Sequence, residues 1–187
     1  MTDPDPIAAA AAILRAGGLV AHATEGVFGL AVDPFNDAAV HRLLALKSRP
    51  ASKGLIVIGA SADVFATELE ALDARDRQAA LDAWPGAETF VVPNTRFSPL
   101  VAGDSGAIAI RVPGHPQARA LAAAVSGPLT STSANPAGSD AAVTAEEVTA
   151  YFHAQVDLVI PGEVIARGRP SRIRDLRTGA VLRGTSA

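Results

Sequence analysis

Short runs of apolar residues bounded by glycine or proline alternate along this chain with longer stretches whose apolar residues follow a helical period. "GLIVIG" (residues 54–59), "ETFVVP" (88–93), "AIAIRV" (107–112) and "DLVI" (157–160) read as buried strands, as does the stretch 19–23. Between them lie helix signals. Asp5 caps a first helix with Pro6 at its first position, and Gly17-Gly18 ends it. Residues 37–47 carry a stripe of Val40, Leu43, Leu44 and Leu46, and residues 62–72, 73–84 and 116–125 also read as helices. A further helix opens at Thr144, which forms a capping box with Glu147. The stretch "SRIRDLRTGAVLRG" reads as a hairpin around Thr178-Gly179. No repeat or linker divides this alternation. The expectation is one α/β domain, layered in the α+β manner over residues 1–187, with a twisted mixed parallel and antiparallel sheet flanked by helices.

Composition supports a packed domain and excludes several functions. With 187 residues, 49% of them hydrophobic, the chain is long enough to bury a sizeable core. A net charge of -3 argues against a generally basic nucleic-acid coat, so local charge placement matters more than the total. Zero cysteines rule out disulfides, thiolate nucleophiles and thiolate metal sites, and suit a reducing compartment. The N-terminal apolar run is short and preceded by acids, unlike a signal peptide, and no run approaches the ~20 residues of a membrane span. The expected location is cytoplasmic.

The stretch "LALKSRPASKGLIVIG" (44–59) contains Lys47, Arg49 and Lys53, and Lys47 and Lys53 are the only lysines in the chain. A bias toward arginine explains scarce lysine but not why both survivors share one segment. Two readings stand: a site that needs ammonium groups, and a solvated helix end where cations complement the C-terminal dipole. No Gly-Lys pair exists, which excludes a P-loop, and no strand is followed by G-x-G-x-x-G. His22, His41, His115 and His153 lack the spacing of a helical zinc site, so no metal ligand set is assigned. "GDSGA" around Ser105 lacks the surroundings of a protease nucleophile and reads as an ordinary loop.

Three further stretches suggest a cleft. "HATEGVFGL" (22–30) sets Thr24 and Glu25 just beyond a strand. "PLTSTSANPAG" (128–138) leaves a strand into closely spaced hydroxyls and Asn135, a composition suited to phosphate or carboxylate, although a plain hydroxyl-rich turn fits equally. Arg167, Arg169, Arg172, Arg174, Arg177 and Arg183 crowd the C-terminus, either as a solvated basic tail or with some side chains facing inward.

The ordered series T-E-x-V-F-G-L, K-x-R-P-x-x-K-G-L, W-P-G-x-x-T-F-V, A-I-R-V-P-x-H-P, S-T-S-A-N-x-x-G and P-S-x-I-R-D resembles the YrdC-domain family of L-threonylcarbamoyladenylate synthases, in its short single-domain bacterial form. The resemblance runs from about residue 17 to residue 183. It implies a YrdC-like fold and a nucleotidyltransferase that makes L-threonylcarbamoyl-AMP from ATP, L-threonine and bicarbonate or carbon dioxide, with release of pyrophosphate. That product is the activated intermediate for threonylcarbamoylation of tRNA adenosine. By matching motif positions, Lys47, Arg49, Ser133 and Asn135 would form the catalytic nucleotide site. Arg111 would hold the threonine carboxylate. Thr24 and Thr132 would be threonine-site hydroxyls, Lys53 a phosphate or substrate contact, and Ser171 and Arg183 contacts from the C-terminal strands. Magnesium would come with ATP and need no dedicated protein site. The partners implied are the small substrates, a tRNA or RNA contact through the basic cleft, and a functional link to separate tRNA threonylcarbamoyl-transfer enzymes.

The chain departs from the family pattern at Ala23, Gly26 and Arg172. Loss of a proline at Ala23 is expected to loosen the turn that orients Thr24, and Arg172 to set a bulky side chain at the nucleotide pocket's rim. Other functions compatible with the same cleft are an RNA-binding module, a relative that adenylates carbamoyl groups from carbamoyl phosphate, and a catalytically silent regulator.

Overall fold

A computed structural model describes residues 5–168 and 171–184. In chain order the elements are α1 (Pro6–Arg15), β1 (Val20–Ala23), β2 (Phe28–Ala31), α2 (Asp37–Leu46), β3 (Ile56–Ile58), α3 (Ala66–Glu70), α4 (Ala74–Ala83), β4 (Glu88–Pro93), α5 (Pro99–Ala102), β5 (Ala107–Arg111), α6 (Pro116–Val125), β6 (Leu129–Thr130), β7 (Thr132–Ser133), α7 (Ala145–Phe152), β8 (Leu158–Val159), β9 (Arg172–Asp175) and β10 (Val181–Arg183). The helix starts follow local chemistry. The side chains of Asp5, Asn36, Asp73 and Thr144 each accept a backbone N–H in the first turn of α1, α2, α4 and α7. At α7, Glu147 reaches back to Val143 N at 2.7 Å, one residue earlier than the capping box expects.

The fold is mixed α/β, with strands of both senses as expected, but they divide into two sheets. One has the order β7-β2-β1-β8 and the other β10-β9-β4-β5-β3-β6. The segment Leu129 to Ser133 belongs to both. β6 pairs antiparallel with β3, whereas β7 pairs antiparallel with β2. The seam is reinforced by Ser131 N donating to Ile56 O at 2.7 Å and by Val32 N donating to Thr130 Oγ1 at 2.9 Å. One short segment thus places the Thr132–Ser133 hydroxyls of the first sheet beside the N-terminal end of β3 in the second.

Two apolar clusters bury the remaining faces. The larger includes Phe28, Leu43, Phe65, Trp84, Phe90 and Phe152. The smaller lies beneath α1 and α6 and includes Leu14, Val20, Leu121, Leu129 and Ile160. Within this framework His22 is fully buried on β1 and its Nδ1 lies 3.1 Å from Ala23 O, to which it donates. Its Nε2 has no partner among the described residues. Burial, opposed in part by that backbone bond, lowers its pKa from 6.5 to about 4.

His22 therefore stays neutral in the fold over a range in which the unfolded chain takes up its proton. Because the unfolded state binds more protons between about 4 and 6.5, this contribution to stability is complete above that window and is lost as pH falls through it. The expected loss is roughly 3 kcal/mol. Melting curves across the window should show wild type falling more steeply than His22→Gln, which does not titrate. Parallel curves would contradict this origin.

Candidate active site

A cavity of about 390 Å³ opens at the seam of the two sheets. Its floor is one face of the second sheet. Alternation along the strands brings Ile56 and Ile58 of β3, Ala107, Ala109 and Arg111 of β5, Val91 of β4, and Ile173 and Asp175 of β9 to that face. The opposite face carries Val57, Phe90 and Ile110 into the core, and the guanidinium of Arg174 lies 5.2 Å above the Phe90 ring.

One wall is the loop after α2. Arg49 Nη2 donates to Gly54 O at 2.7 Å, and Nε to the same oxygen at 3.2 Å, which folds the loop back on itself. Gly54 has φ +60°, and a Cβ there would lie 2.7 Å from Ala102 O; across the contact, a Cβ on Gly103 (φ +76°) would lie 2.6 Å from Ser52 O. Only glycine tolerates both the left-handed backbone and this approach. The packed glycines hold Arg49 and Lys53 at the cavity edge.

Lys47 and Asn135 lie together against Ser133, behind the cavity wall. Neither lines the cavity. The Lys47 residue is buried, and its ammonium donates to Ser133 O, to Asn135 O at 2.8 Å and to Asn135 Oδ1 at 3.2 Å. All three donors are engaged, two by backbone carbonyls and one by the Asn135 side chain, so a phosphate reaching the ammonium has to displace one of these oxygens. Ser133 Oγ in turn donates to Asn135 Oδ1 at 2.6 Å, and Asn135 Nδ2 to Ser139 O at 2.8 Å. Lys47 and Asn135 brace the hydroxyl loop from behind, while Thr132 and Ser133 face the cavity. Burial, and after it the charge of Arg49, lowers the Lys47 pKa to about 8.

The other residues singled out from the sequence line the cavity: Thr24, Arg49, Lys53, Arg111, Thr132, Ser133, Ser171 and Arg183. Thr24 Oγ1 donates to Val27 O at 2.6 Å, which closes its turn. The expected loosening at Ala23 does not occur. Ala23 has an N–H where proline has none, and it donates to Gln117 Oε1 at 2.8 Å. Ser171 Oγ accepts from Thr89 Oγ1 at 2.9 Å and from Arg183 Nη2 at 2.8 Å. Arg172 lies away from the cavity, 3.8 Å from Glu88, because alternation along β9 sends Ile173 and Asp175 to the cavity face instead. Arg177 lies at the cavity's edge, largely exposed and paired with Asp175 at 3.3 Å; Arg167 is exposed, and Arg169 and Pro170 lie outside the described residues.

Charge is unevenly distributed here. Arg49, Lys53 and Arg183 form no ion pair among the described residues, although a carboxylate would relieve their mutual repulsion. Loss of solvent lowers the Arg49 pKa; around the Arg183 head group the same effect is joined by the charges of Arg111 and Arg49. Arg111 is buried, donates from Nε to Gly86 O at 2.9 Å and pairs through Nη2 with Glu25 Oε1. Among the described residues no three His, Asp or Glu side chains converge as a metal site. Site residues that the sequence reading did not assign are Asp175, Ser131 and Ser105, the last read as an ordinary loop residue; they lack a motif of their own, and only the strand register and seam bring them here.

A cavity with an apolar floor, unpaired cations on its walls and hydroxyls at its seam suits a small, multiply anionic ligand with an apolar part. Comparison with known proteins identifies the chain's relatives. Residues 12–184 match the family described as "Telomere recombination", the Sua5/YciO/YrdC domain. The chain belongs to this family. It is 47% identical over 180 residues to a threonylcarbamoyl-AMP synthase of Chromohalobacter salexigens, covering 96% of this chain and 97% of that protein. A threonylcarbamoyl-AMP synthase of Pseudomonas aeruginosa is 45% identical over 175 residues, covering 93% of this chain and 94% of that protein. Among solved structures, P. abyssi Sua5 complexed with L-threonine superposes with a TM-score of 0.86 at 30% identity over 91% of this chain, which spans about half (51%) of that longer chain. E. coli YciO superposes with a TM-score of 0.84 at 25% identity, covering 97% of this chain and 90% of that one.

The placement of Lys47 gives a pH dependence. Above about pH 8 its ammonium loses a proton and with it the ability to satisfy three oxygens, so the loop bearing Thr132 and Ser133 loosens. Turnover measured against pH should decline on the alkaline side with an apparent pKa of about 8. A flat profile through that range would contradict the role of Lys47 as a charged brace.

Proposed function

We propose that this chain joins L-threonine, carbon dioxide or bicarbonate, and ATP into L-threonylcarbamoyl-AMP with release of pyrophosphate, the first step of tRNA threonylcarbamoyladenosine formation. The observation that carries this reading is the cavity itself. Three cations without carboxylate partners face an apolar floor, and a buried arginine stands at one end of that floor. The threonylcarbamoyl-AMP synthase relatives, matched over nearly their whole length, support the same reading.

The chemistry needs this distribution. Carboxylation of the threonine amine gives a carbamate anion, whose oxygen attacks the α-phosphorus of ATP and expels pyrophosphate. Two anions must approach in line, so the residues have to neutralise phosphate oxygens and fix both partners. Arg49, Lys53 and Arg183 supply mobile or planar cations along the cavity wall, and Thr132 and Ser133 supply hydroxyl donors at the seam. Arg111 offers a guanidinium to the threonine carboxylate, a pairing strengthened by charge and by two-point geometry. No side chain needs to become acylated or adenylated. Magnesium enters as part of the ATP substrate. The acids lining the cavity, Glu25 and Asp175, are already engaged with arginines, so the ion would be held chiefly by phosphate oxygens. The activated product would then pass to separate enzymes that act on tRNA in the cytoplasm.

Mass spectrometry of a reaction containing ATP, threonine and bicarbonate should show threonylcarbamoyl-AMP and pyrophosphate. Product with carbamoyl phosphate but not with threonine and bicarbonate would assign the chain to a different carbamoyl adenylation, and salt-sensitive RNA binding without turnover would assign it to RNA. Within the reaction, Arg49→Ala should lower kcat/KM for ATP by roughly tenfold to a thousandfold, the range for loss of a charge-stabilising contact. Arg177→Ala, which removes a largely exposed partner of Asp175, should stay within about twofold of wild type.

A further inference from the structure

The ion pair of Arg111 with Glu25 leaves hydrogen-bonding capacity on both partners: Arg111 Nη2 and Glu25 Oε2 are buried and make no hydrogen bond among the described residues, at the wall of the cavity. Glu25 sits in a turn fixed from several sides. Thr24 N and Oγ1 both donate to Val27 O, Ala166 N donates to Glu25 O at 2.6 Å, and Gly168 N donates to Gly26 O at 2.8 Å. Its carboxylate is fixed as well: Oε1 accepts Gly114 N at 2.6 Å and faces Arg111 Nη2. Oε2 is buried and accepts no hydrogen bond. An ionised oxygen left without a donor is expensive: buried Glu68 takes Thr95 Oγ1 and Arg96 Nε on one oxygen and Arg96 Nη2 on the other, whereas Glu88 Oε2, outside the cavity, shares the unpaired state of Glu25 Oε2.

The same cavity has few places for positive charge on a ligand. Arg49, Lys53, Arg111, Arg177 and Arg183 line it, and the acids among its described lining residues are Glu25 and Asp175. Asp175 is already used twice by Arg177, through the backbone N at 2.9 Å and Nη2 at 3.3 Å. It is also displaced from Arg111. Strand register puts Arg111 in the row of Thr89 and Ile173, with Asp175 in the next same-face row, beside Val91 and Ala109. That offset is about 7 Å along the strands. Glu25, by contrast, touches Arg111.

We infer that Glu25 is the residue that recognises the ammonium group of the amino-acid substrate, so that Arg111 and Glu25 together form a complement to an α-amino acid zwitterion. This rests on the substrate reading given above. In an α-amino acid a single carbon separates carboxylate from ammonium, so the two protein groups that bind them must be neighbours of opposite charge. Arg111 and Glu25 meet that requirement, and no other acid on the cavity wall does. The spare Oε2 supplies the acceptor that the ammonium needs, in a site whose other charges would repel it. The consequence is selectivity for amino acids over hydroxy acids of the same shape, because a ligand without the ammonium leaves Oε2 buried and unpaired. It also fixes the nitrogen that is to be carboxylated, on the Arg111 side of the cavity.

Calorimetric titration can separate this role from that of a mere brace for Arg111. The ligands are L-threonine and 3-hydroxybutanoate, which keeps the carboxylate and the 3-hydroxyl but lacks the ammonium. Wild type should prefer threonine by at least about tenfold, and Glu25→Gln should abolish that preference by weakening threonine about tenfold or more while leaving 3-hydroxybutanoate unchanged. Loss of both ligands in proportion would show that Glu25 only positions Arg111, and would overturn the inference. Should Glu25→Gln fail to melt cooperatively, Glu25→Asp, which keeps the charge but withdraws it, is read by the same criterion: threonine weakened and 3-hydroxybutanoate retained. Threonine affinity equal to wild type in either folded variant also overturns it, and leaves the substrate reading intact. No threonine binding by wild type would overturn both.

Discussion

A buried ammonium organises this active site. Lys47 ends α2 beneath the hydroxyl loop and ties the carbonyls of Ser133 and Asn135 to the helix, across a gap between parts of the chain far apart in sequence. Pairing of β7 with β2 sets the course of the segment joining the two sheets, and Lys47 adds a tie from the helix that holds the turn after the Thr132 and Ser133 hydroxyls. Placing a charge there carries a desolvation penalty, visible in its lowered pKa. Backbone carbonyls, which cannot be protonated away, compensate it. An arginine is too long and planar to converge on three oxygens in this way, whereas an ammonium is a compact triple donor. The chain's choice of lysine here, against its own preference for arginine, thus has a geometric basis.

With the loop braced from behind, the remaining cations are free for a ligand. Arg49 is spent partly on Gly54 O, which orients it without neutralising it, and Arg183 is oriented by Ser171 in the same way. Each guanidinium bonds neutral oxygens and keeps its charge for an incoming anion. Arg111 is the exception, since Glu25 shares it, and that difference divides the cavity into an anion-binding wall and an end suited to a zwitterion. The apolar floor of Ile56, Ala109, Val91 and Ile173 lowers the local dielectric, so these charges act more strongly than they would in water.

Much of this architecture was legible in the sequence. The longer strands and helices follow from apolar periodicity and caps, and the ordered motifs implied which residues gather. What was not legible is short or shared. β2 is "FGLA", with a glycine where a strand signal needs a branched residue, and β6 and β7 lie in a hydroxyl-rich stretch that reads as a turn. These strands are specified by pairing across the seam rather than by propensity, and for the same reason one expected sheet proved to be two. The motif implied a grouping of Lys47, Ser133 and Asn135, but composition cannot reveal whether a cation faces a ligand or a carbonyl. That depended on where the end of α2 points. The effect of Ala23 was misjudged because its compensating partner, Gln117, is remote in sequence.

The central claim is this division of labour, with Lys47 behind the wall and Arg49, Lys53 and Arg183 in front of it. A crystal structure of the protein with L-threonine and a non-hydrolysable ATP analogue tests it most directly. The account expects phosphate oxygens against Arg49, Lys53 and Arg183, the amino acid at Arg111, and the Lys47 ammonium still bonded to Ser133 O and Asn135 O. Phosphate in direct contact with Lys47, with those carbonyl bonds broken, would contradict it.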